Sequence, residues 1–232
     1  MPLLCILIVA CSQQPTITLS NTQESTMNDI TLKTQDGMLL KATHAEAVSE
    51  TGIILLHQLN QDRHSYDALL PLLKNYNTIA IDLRGHGESQ GDWNSFGDED
   101  FRAMELDVDA AKEQLKATGS TKFIVIGASI GANTAINYGA NNEDVIGVIP
   151  LSPGLEYKGI NTEHHITAYK NNLLIIVSEE DSYSYESSQL LHDASPAQKE
   201  LKVYKDSGHG TNMFPTTDLK EYLVSWIDKN TQ

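Results

Sequence analysis

The stretch Lys122-Phe-Ile-Val-Ile-Gly127-Ala128-Ser129-Ile130-Gly131-Ala132-Asn133 decides the fold. A short run of β-branched and apolar residues stops at a glycine. A serine follows one residue on, and small residues then open a helical pattern. In this strand–turn–helix setting Gly-x-Ser-x-Gly forms a nucleophile elbow, a turn so tight that glycine-sized neighbours must flank the serine. The serine hydroxyl is thereby pushed out above the sheet, at the start of the next helix. The five-residue pattern alone occurs by chance in many chains, so its meaning depends on what the rest of the sequence supplies.

Outward from the elbow, apolar runs alternate with amphipathic stretches. Ile30–Thr34 and Met38–Thr43 flank Asp36-Gly37, a strong hairpin signal. Gly52–Leu56 and Thr78–Asp82 read as strands, and apolar residues at 66, 69, 70 and 73 give a helical face between them. Asp98 to Thr118 reads as one long amphipathic helix closed by Gly119. Strands follow at 145–151, 173–178 and 201–204, with helices over about 130–140, 187–192 and 217–229. Such alternation predicts an α/β fold: a mostly parallel central sheet with an N-terminal antiparallel hairpin and helices on both faces. The connection from Ser152 to Asn172 is short, so no large cap domain is expected and the site should be open.

The 232 residues suit one domain. With 31 acidic and 16 basic residues the formal net charge is −15, which repels phosphate backbones and argues against nucleic-acid binding. Both cysteines, Cys5 and Cys11, precede the predicted domain, so the domain has no disulfide and no cysteine cluster. Residues 1–10 are apolar but too few to span a bilayer, which needs roughly 20 residues. They read as a signal segment. The ending Ile8-Val9-Ala10-Cys11 resembles the lipobox of bacterial lipoproteins, although no Lys or Arg precedes the apolar run. That resemblance implies lipidation of Cys11, a polar tether over 11–28 and a folded domain over 29–232. The protein would sit in the bacterial cell envelope, touching the membrane only through its lipid. A start at Met27 would instead give a cytoplasmic protein.

A serine nucleophile needs a base to take its proton and a carboxylate to orient that base. The strand 173–178 runs into Glu179-Glu180-Asp181, and the last strand into Asp206-Ser-Gly-His209-Gly210. Two or three turn residues between strand end and acid favour Asp181, which leaves Glu179 and Glu180 as solvated loop charges. His209, on a glycine-flanked loop after the last strand, is the candidate base among eight histidines. His44, His64 and His192 read as surface residues, and His164 and His165 as a polar pair in the short lid.

The segment Asp82-Leu83-Arg84-Gly85-His86-Gly87-Glu88-Ser89 adds a second motif. With the elbow and the ordered Ser129, Asp181 and His209, it identifies the chain as similar to the α/β-hydrolase superfamily over nearly all of residues 30–230. The capless form is similar to the dienelactone-hydrolase-like and simple carboxylesterase branches. The resemblance implies a structural role for Asp82, Arg84 and His86, and an oxyanion hole built from the backbone N–H groups of Ile130 and Leu59, with Gln58 as the alternative to Leu59. His57 is expected to brace that loop. The expected activity is hydrolysis of a small-molecule carboxylic ester through an acyl-enzyme on Ser129, with no metal and no organic cofactor. A thioesterase or small peptidase would use the same residues, and a non-catalytic surface lipoprotein is the alternative from another class.

Overall fold

The computed structural model describes residues 26–231, so the signal segment, Cys11 and the tether up to residue 25 lie outside the described residues. Ten strands and six helices follow in the order β1 Thr26–Lys33, β2 Leu39–Glu46, β3 Thr51–Leu56, β4 Asn77–Ile81, α1 Asp98–Arg102, α2 Met104–Ala117, β5 Lys122–Ala128, α3 Ile130–Asn141, β6 Val145–Leu151, β7 Glu156–Tyr157, β8 Ile160–Asn161, α4 Glu163–Ala168, β9 Asn172–Ser178, α5 Ser182–Ala194, β10 Gln198–Tyr204 and α6 Leu219–Asn230. Eight strands form one sheet in the order β1-β2-β4-β3-β5-β6-β9-β10. The β1–β2 and β2–β4 pairs are antiparallel and every later pair is parallel.

The central strands are buried on both faces, which is why they read as unbroken apolar runs rather than as alternating ones. Alternate residues still serve opposite layers. Ile54, Leu56, Val125 and Ile175 pack with Val108, Leu115, Ile136 and Leu191 from α2, α3 and α5. Ile53, Leu55, Ile124, Ile126 and Ile176 face the other way, onto Tyr66, Leu70, Met213, Leu223 and Trp226. Helical layers therefore cover both faces, as predicted.

Four details depart from the sequence expectation. Strand β1 takes in Thr26–Asn28, assigned above to the tether, because these residues pair with Glu46, Ala45 and His44. The apolar face over 66–73 is carried by two single 3-10 turns, Arg63–Tyr66 and Leu70–Leu73, and not by an α-helix. Pro71 lacks the N–H that an α-helix would use at that point, so only short turns form, though all four apolar residues are buried. The stretch 98–118 is interrupted at Ala103, which separates α1 from α2. His44 also proves buried rather than exposed, its Nε2 2.8 Å from the Asn77 side chain. Among the described residues no helix is long and apolar enough to cross a membrane.

The turn after β4 is built around ion pairs. Asp82 is fully buried and accepts from the Arg63 guanidinium at 2.5 Å, the Arg63 N–H at 2.8 Å and the Glu88 N–H at 2.8 Å. Arg84 in turn grips Asp107 of α2 at 2.9 Å and reaches Asp36 of the β1–β2 hairpin. Asp82 and Arg84 thus have the architectural roles expected of them, while Arg63 carried no recognisable sequence signal. Removing one partner of a buried pair strands the other's charge, at a cost of about 3–5 kcal/mol. Asp82→Ala is therefore expected to lower unfolding stability by about that amount, read as a fall in the urea midpoint at unchanged slope; a midpoint equal to wild type would contradict it.

Candidate active site

Ser129 occupies the turn between β5 and α3 with φ 52° and ψ −113°, a backbone conformation costly for any residue with a Cβ. Two glycines make the turn possible. A Cβ on Gly127 would overlap the Gly131 carbonyl, and a Cβ on Gly131 would lie 2.6 Å from the Leu56 carbonyl oxygen and 2.7 Å from that of His57. The start of α3 is thus pressed against both the end of its own strand and the end of β3. The Ser129 N–H donates to the Leu151 carbonyl of β6 at 2.9 Å, and its own carbonyl accepts from Ala132 and Asn133. Ile130, first residue of α3, has one of the N–H groups that a helix cannot satisfy internally.

Asp181 and His209 come together as expected, with His209 Nδ1 2.6 Å from the Asp181 carboxylate. Asp181 immediately precedes α5 and caps none of its N–H groups, its carboxylate meeting the histidine instead. Burial raises the Asp181 pKa, but the hydrogen bond and charge of His209, aided by the hydroxyls of Ser184 and Ser152, outweigh it and hold the carboxyl below its usual value. His209 itself is part-exposed, so the imidazole is reachable from solution. Gly210 beside it packs against Ala128, the residue before Ser129, at 3.2 Å from a Cβ built on the glycine. The loop carrying the histidine therefore lies on the elbow.

The loop after β3 borders the same point. His57 is wholly buried, with Nδ1 donating to the Gln58 carbonyl at 2.8 Å and Nε2 accepting from the Leu83 N–H at 3.0 Å. Burial pushes its pKa down to about 4. Both ring nitrogens are used, so His57 braces the loop, as expected. Gln58 turns its side chain toward the histidine loop. Its Oε1 accepts from the Thr211 N–H at 3.0 Å and the Thr211 hydroxyl at 3.2 Å. Leu59, between Gln58 and the exposed Asn60, packs partly onto the core.

One expectation fails. Glu180 is not a solvated loop charge: although exposed, it accepts from the Ser178 hydroxyl at 2.6 Å and from the N–H groups of Asp206, Ser207 and Gly208 at 2.9, 2.7 and 2.7 Å. These bonds, that from Ser178 foremost, hold its pKa down at about 2. A run of three acidic residues in one dimension gave no hint of which one the later loop would wrap. Glu179 fits its reading, exposed and 3.2 Å from Lys205.

Between β6 and β9 the chain makes an excursion: the hairpin of β7 and β8, then α4, which carries His164 and His165. It is fastened rather than free. The Asn133 side chain of α3 accepts from the Gly154 N–H at 2.9 Å and donates to the Ile160 carbonyl at 3.1 Å. Tyr183 of α5 donates to the Glu156 carbonyl at 2.7 Å. Beside the β3 loop a polar depression of about 290 Å³ is lined by Asn60–Asp62, Gly85–Gly87 and Gly91–Trp93. Here His86 stacks on Trp93, with ring centroids 5.6 Å apart. A larger groove of about 580 Å³ along α5 and β10 involves none of the candidate residues. Among the described residues no group of three or more His, Cys, Asp or Glu is placed to hold a metal.

Comparison with known proteins agrees with this fold. Residues 52–153 match the family model described as the alpha/beta hydrolase fold. No curated protein matches the chain. Among solved structures, the Pyrococcus furiosus esterase Pf2001 aligns with a TM-score of 0.76 at 23% identity, covering 90% of this chain and 94% of that one. A thermophilic esterase from Thermogutta terrifontis gives 0.73 at 17% identity, covering 88% and 100%. Est816, described as an N-acyl homoserine lactone degrading enzyme, gives 0.72 at 18% identity, covering 85% and 100%. The described residues thus have the α/β-hydrolase fold, with a mostly parallel sheet and no large cap.

A carboxylate whose pKa is depressed on folding stabilises the folded state at pH above its unfolded value and ceases to do so as pH falls through the folded one. For Glu180 that window runs from about pH 4.5 down to about 2. Over this range Tm of the wild type should drop more steeply than that of Glu180→Gln; parallel melting profiles for the two proteins would refute the assignment.

Proposed function

We propose that the protein is a serine hydrolase of carboxylic esters. The observation that carries this reading is the 2.6 Å bond between His209 and Asp181, on a loop that packs against the strained elbow of Ser129. In this reading His209 takes the proton from Ser129 as its hydroxyl attacks the ester carbonyl. Asp181 fixes the tautomer by accepting from Nδ1–H and stabilises the imidazolium that results. The N–H groups of Ile130 and Leu59 receive the developing oxyanion; one such donor is typically worth about 100- to 1,000-fold in rate. The imidazolium then protonates the departing alcohol, water attacks the acyl-enzyme by the same route, and Ser129 is regenerated. Apart from that water, each step uses only side chains and backbone of this chain.

Support for esters over other acyl donors comes from the esterases among the fold's neighbours. The formal net charge of −15 disfavours anionic substrates over neutral or cationic ones. A fluorophosphonate probe should label the wild type and leave Ser129→Ala unlabelled, and p-nitrophenyl esters of short acids should be turned over with a loss of at least about 1,000-fold in Ser129→Ala. Labelling that persists in Ser129→Ala would exclude this serine. Turnover confined to thioesters or peptides would move the assignment to a thioesterase or peptidase on the same residues.

We also propose that Cys11 carries a lipid anchoring the domain in the bacterial cell envelope, supported by the Ile8-Val9-Ala10-Cys11 sequence. A clickable palmitate analogue fed to cells should mark the protein and fail to mark Cys11→Ala. Equal labelling of both would refute the anchor.

A further inference from the structure

The segment Lys205-Asp-Ser-Gly-His209 does not lie along the sheet edge but curls around a single carboxylate. Asp206 has φ 50° and Gly208 φ 88°, and the three consecutive N–H groups of Asp206, Ser207 and Gly208 converge on Glu180. Successive N–H groups turned inward in this way make a nest, a concavity that favours an anion. Its anion is supplied from within, by the residue next to the acid that orients the histidine. Ser178, the last residue of β9, completes the arrangement: its hydroxyl donates to Glu180 and accepts from the Ser207 N–H at 3.0 Å.

On the far side of His209 the loop is pinned twice more. The Gly210 N–H donates to the Ser152 hydroxyl at 3.0 Å, and Thr211 donates to Gln58. Gly210 has φ 58°, and a Cβ there would overlap the Gln58 amide oxygen. His209 therefore sits between two anchored pieces of backbone, 206–208 and 210–211. Its side chain meets Asp181 at 2.6 Å because the backbone on its N-terminal side is tied to the residue adjoining Asp181.

We propose that Glu180 is a positioning residue for the histidine: it fastens the loop of His209 to the loop of Asp181 and so fixes the imidazole against its carboxylate and toward Ser129. This deepens the serine hydrolase reading and, for its kinetic consequence, rests on it. Glu180 touches neither substrate nor the reacting atoms. Its loss leaves binding intact and reduces the fraction of molecules in which the imidazole is correctly aimed, a kind of misplacement that can cost about 100-fold in rate.

The test uses the full chain with p-nitrophenyl butyrate and three readouts. Glu180→Gln, which keeps the shape but puts an NH2 group against N–H donors, should lower kcat by about 10- to 100-fold with KM within about twofold of wild type. Glu180→Gly empties the nest, and sodium acetate should restore a large part of its kcat where sodium chloride does not. By proton NMR, the downfield resonance of the His209 Nδ1–H held by Asp181 should be present in wild type, lost in Glu180→Gln and recovered by acetate in Glu180→Gly. Wild-type kcat and an intact resonance in a folded Glu180→Gln would overturn the proposal, as would a loss in Glu180→Gly that chloride restores equally. If both variants fail to fold, Ser178→Ala takes their place: a weaker resonance and a kcat lowered several-fold are expected, and wild-type values for both overturn the proposal. Absence of Ser129-dependent turnover in the wild type would remove the hydrolase reading alone, since the resonance reports the His209–Asp181 bond without any substrate.

Discussion

The close approach of two backbones at Gly127 and Gly131 is the constraint on which the rest of the molecule is hung. At that point β5 ends, α3 begins, and the carbonyls of Leu56 and His57 lie within 2.7 Å of where a Cβ on Gly131 would stand. No side chain fits between, so three elements are brought to contact and Ser129 is left at the crest with a positive φ. The adverse backbone energy of that residue, of order 1–3 kcal/mol, is borne because the surroundings leave it no alternative. Nearly all of α3 is buried, so the helix cannot tilt away to relieve the turn.

The parallel order of the sheet does the remaining work of assembly. From β3 through β5, β6 and β9 to β10, neighbouring strands all end on the same side, and each end contributes one part. These parts are the loop of His57 to Leu59, the elbow, Ser152, Asp181 and His209. Contacts between adjacent ends then fix them to one another: Gln58 to Thr211, Ser152 to Gly210, Glu180 to 206–208. Ser152 has a positive φ like the elbow serine, and its hydroxyl accepts from the histidine loop at Gly210. The site is thus a chain of loop-to-loop bonds strung along strand ends.

What the sequence made legible were features with a local cause. The hairpin at Asp36-Gly37, the buried strands and the elbow each follow from a turn chemistry or an apolar run a few residues long. Strand β6 is observed at its expected bounds, Val145–Leu151. The partnership of Asp181 with His209 could be anticipated because order along the chain maps onto order of strands. What stayed illegible depends on distant residues. Arg63 looks like any surface arginine until Asp82, 19 positions on, is found buried beside it. Glu180 could not be told from Glu179 by composition, because the groups that distinguish them lie 26–28 residues later. The 3-10 turns over 63–73 kept the helical spacing of their apolar residues while Pro71 denied them the helix.

The excursion formed by β7, β8 and α4 is bonded to Asn133 of α3, four residues beyond Ser129, and to Tyr183 of α5, two residues beyond Asp181. It is thus tied to the two helices that begin just after the serine and the acid. A substitution that reshapes this excursion would pull on both helix starts, so its shape cannot be altered independently of where those two side chains stand.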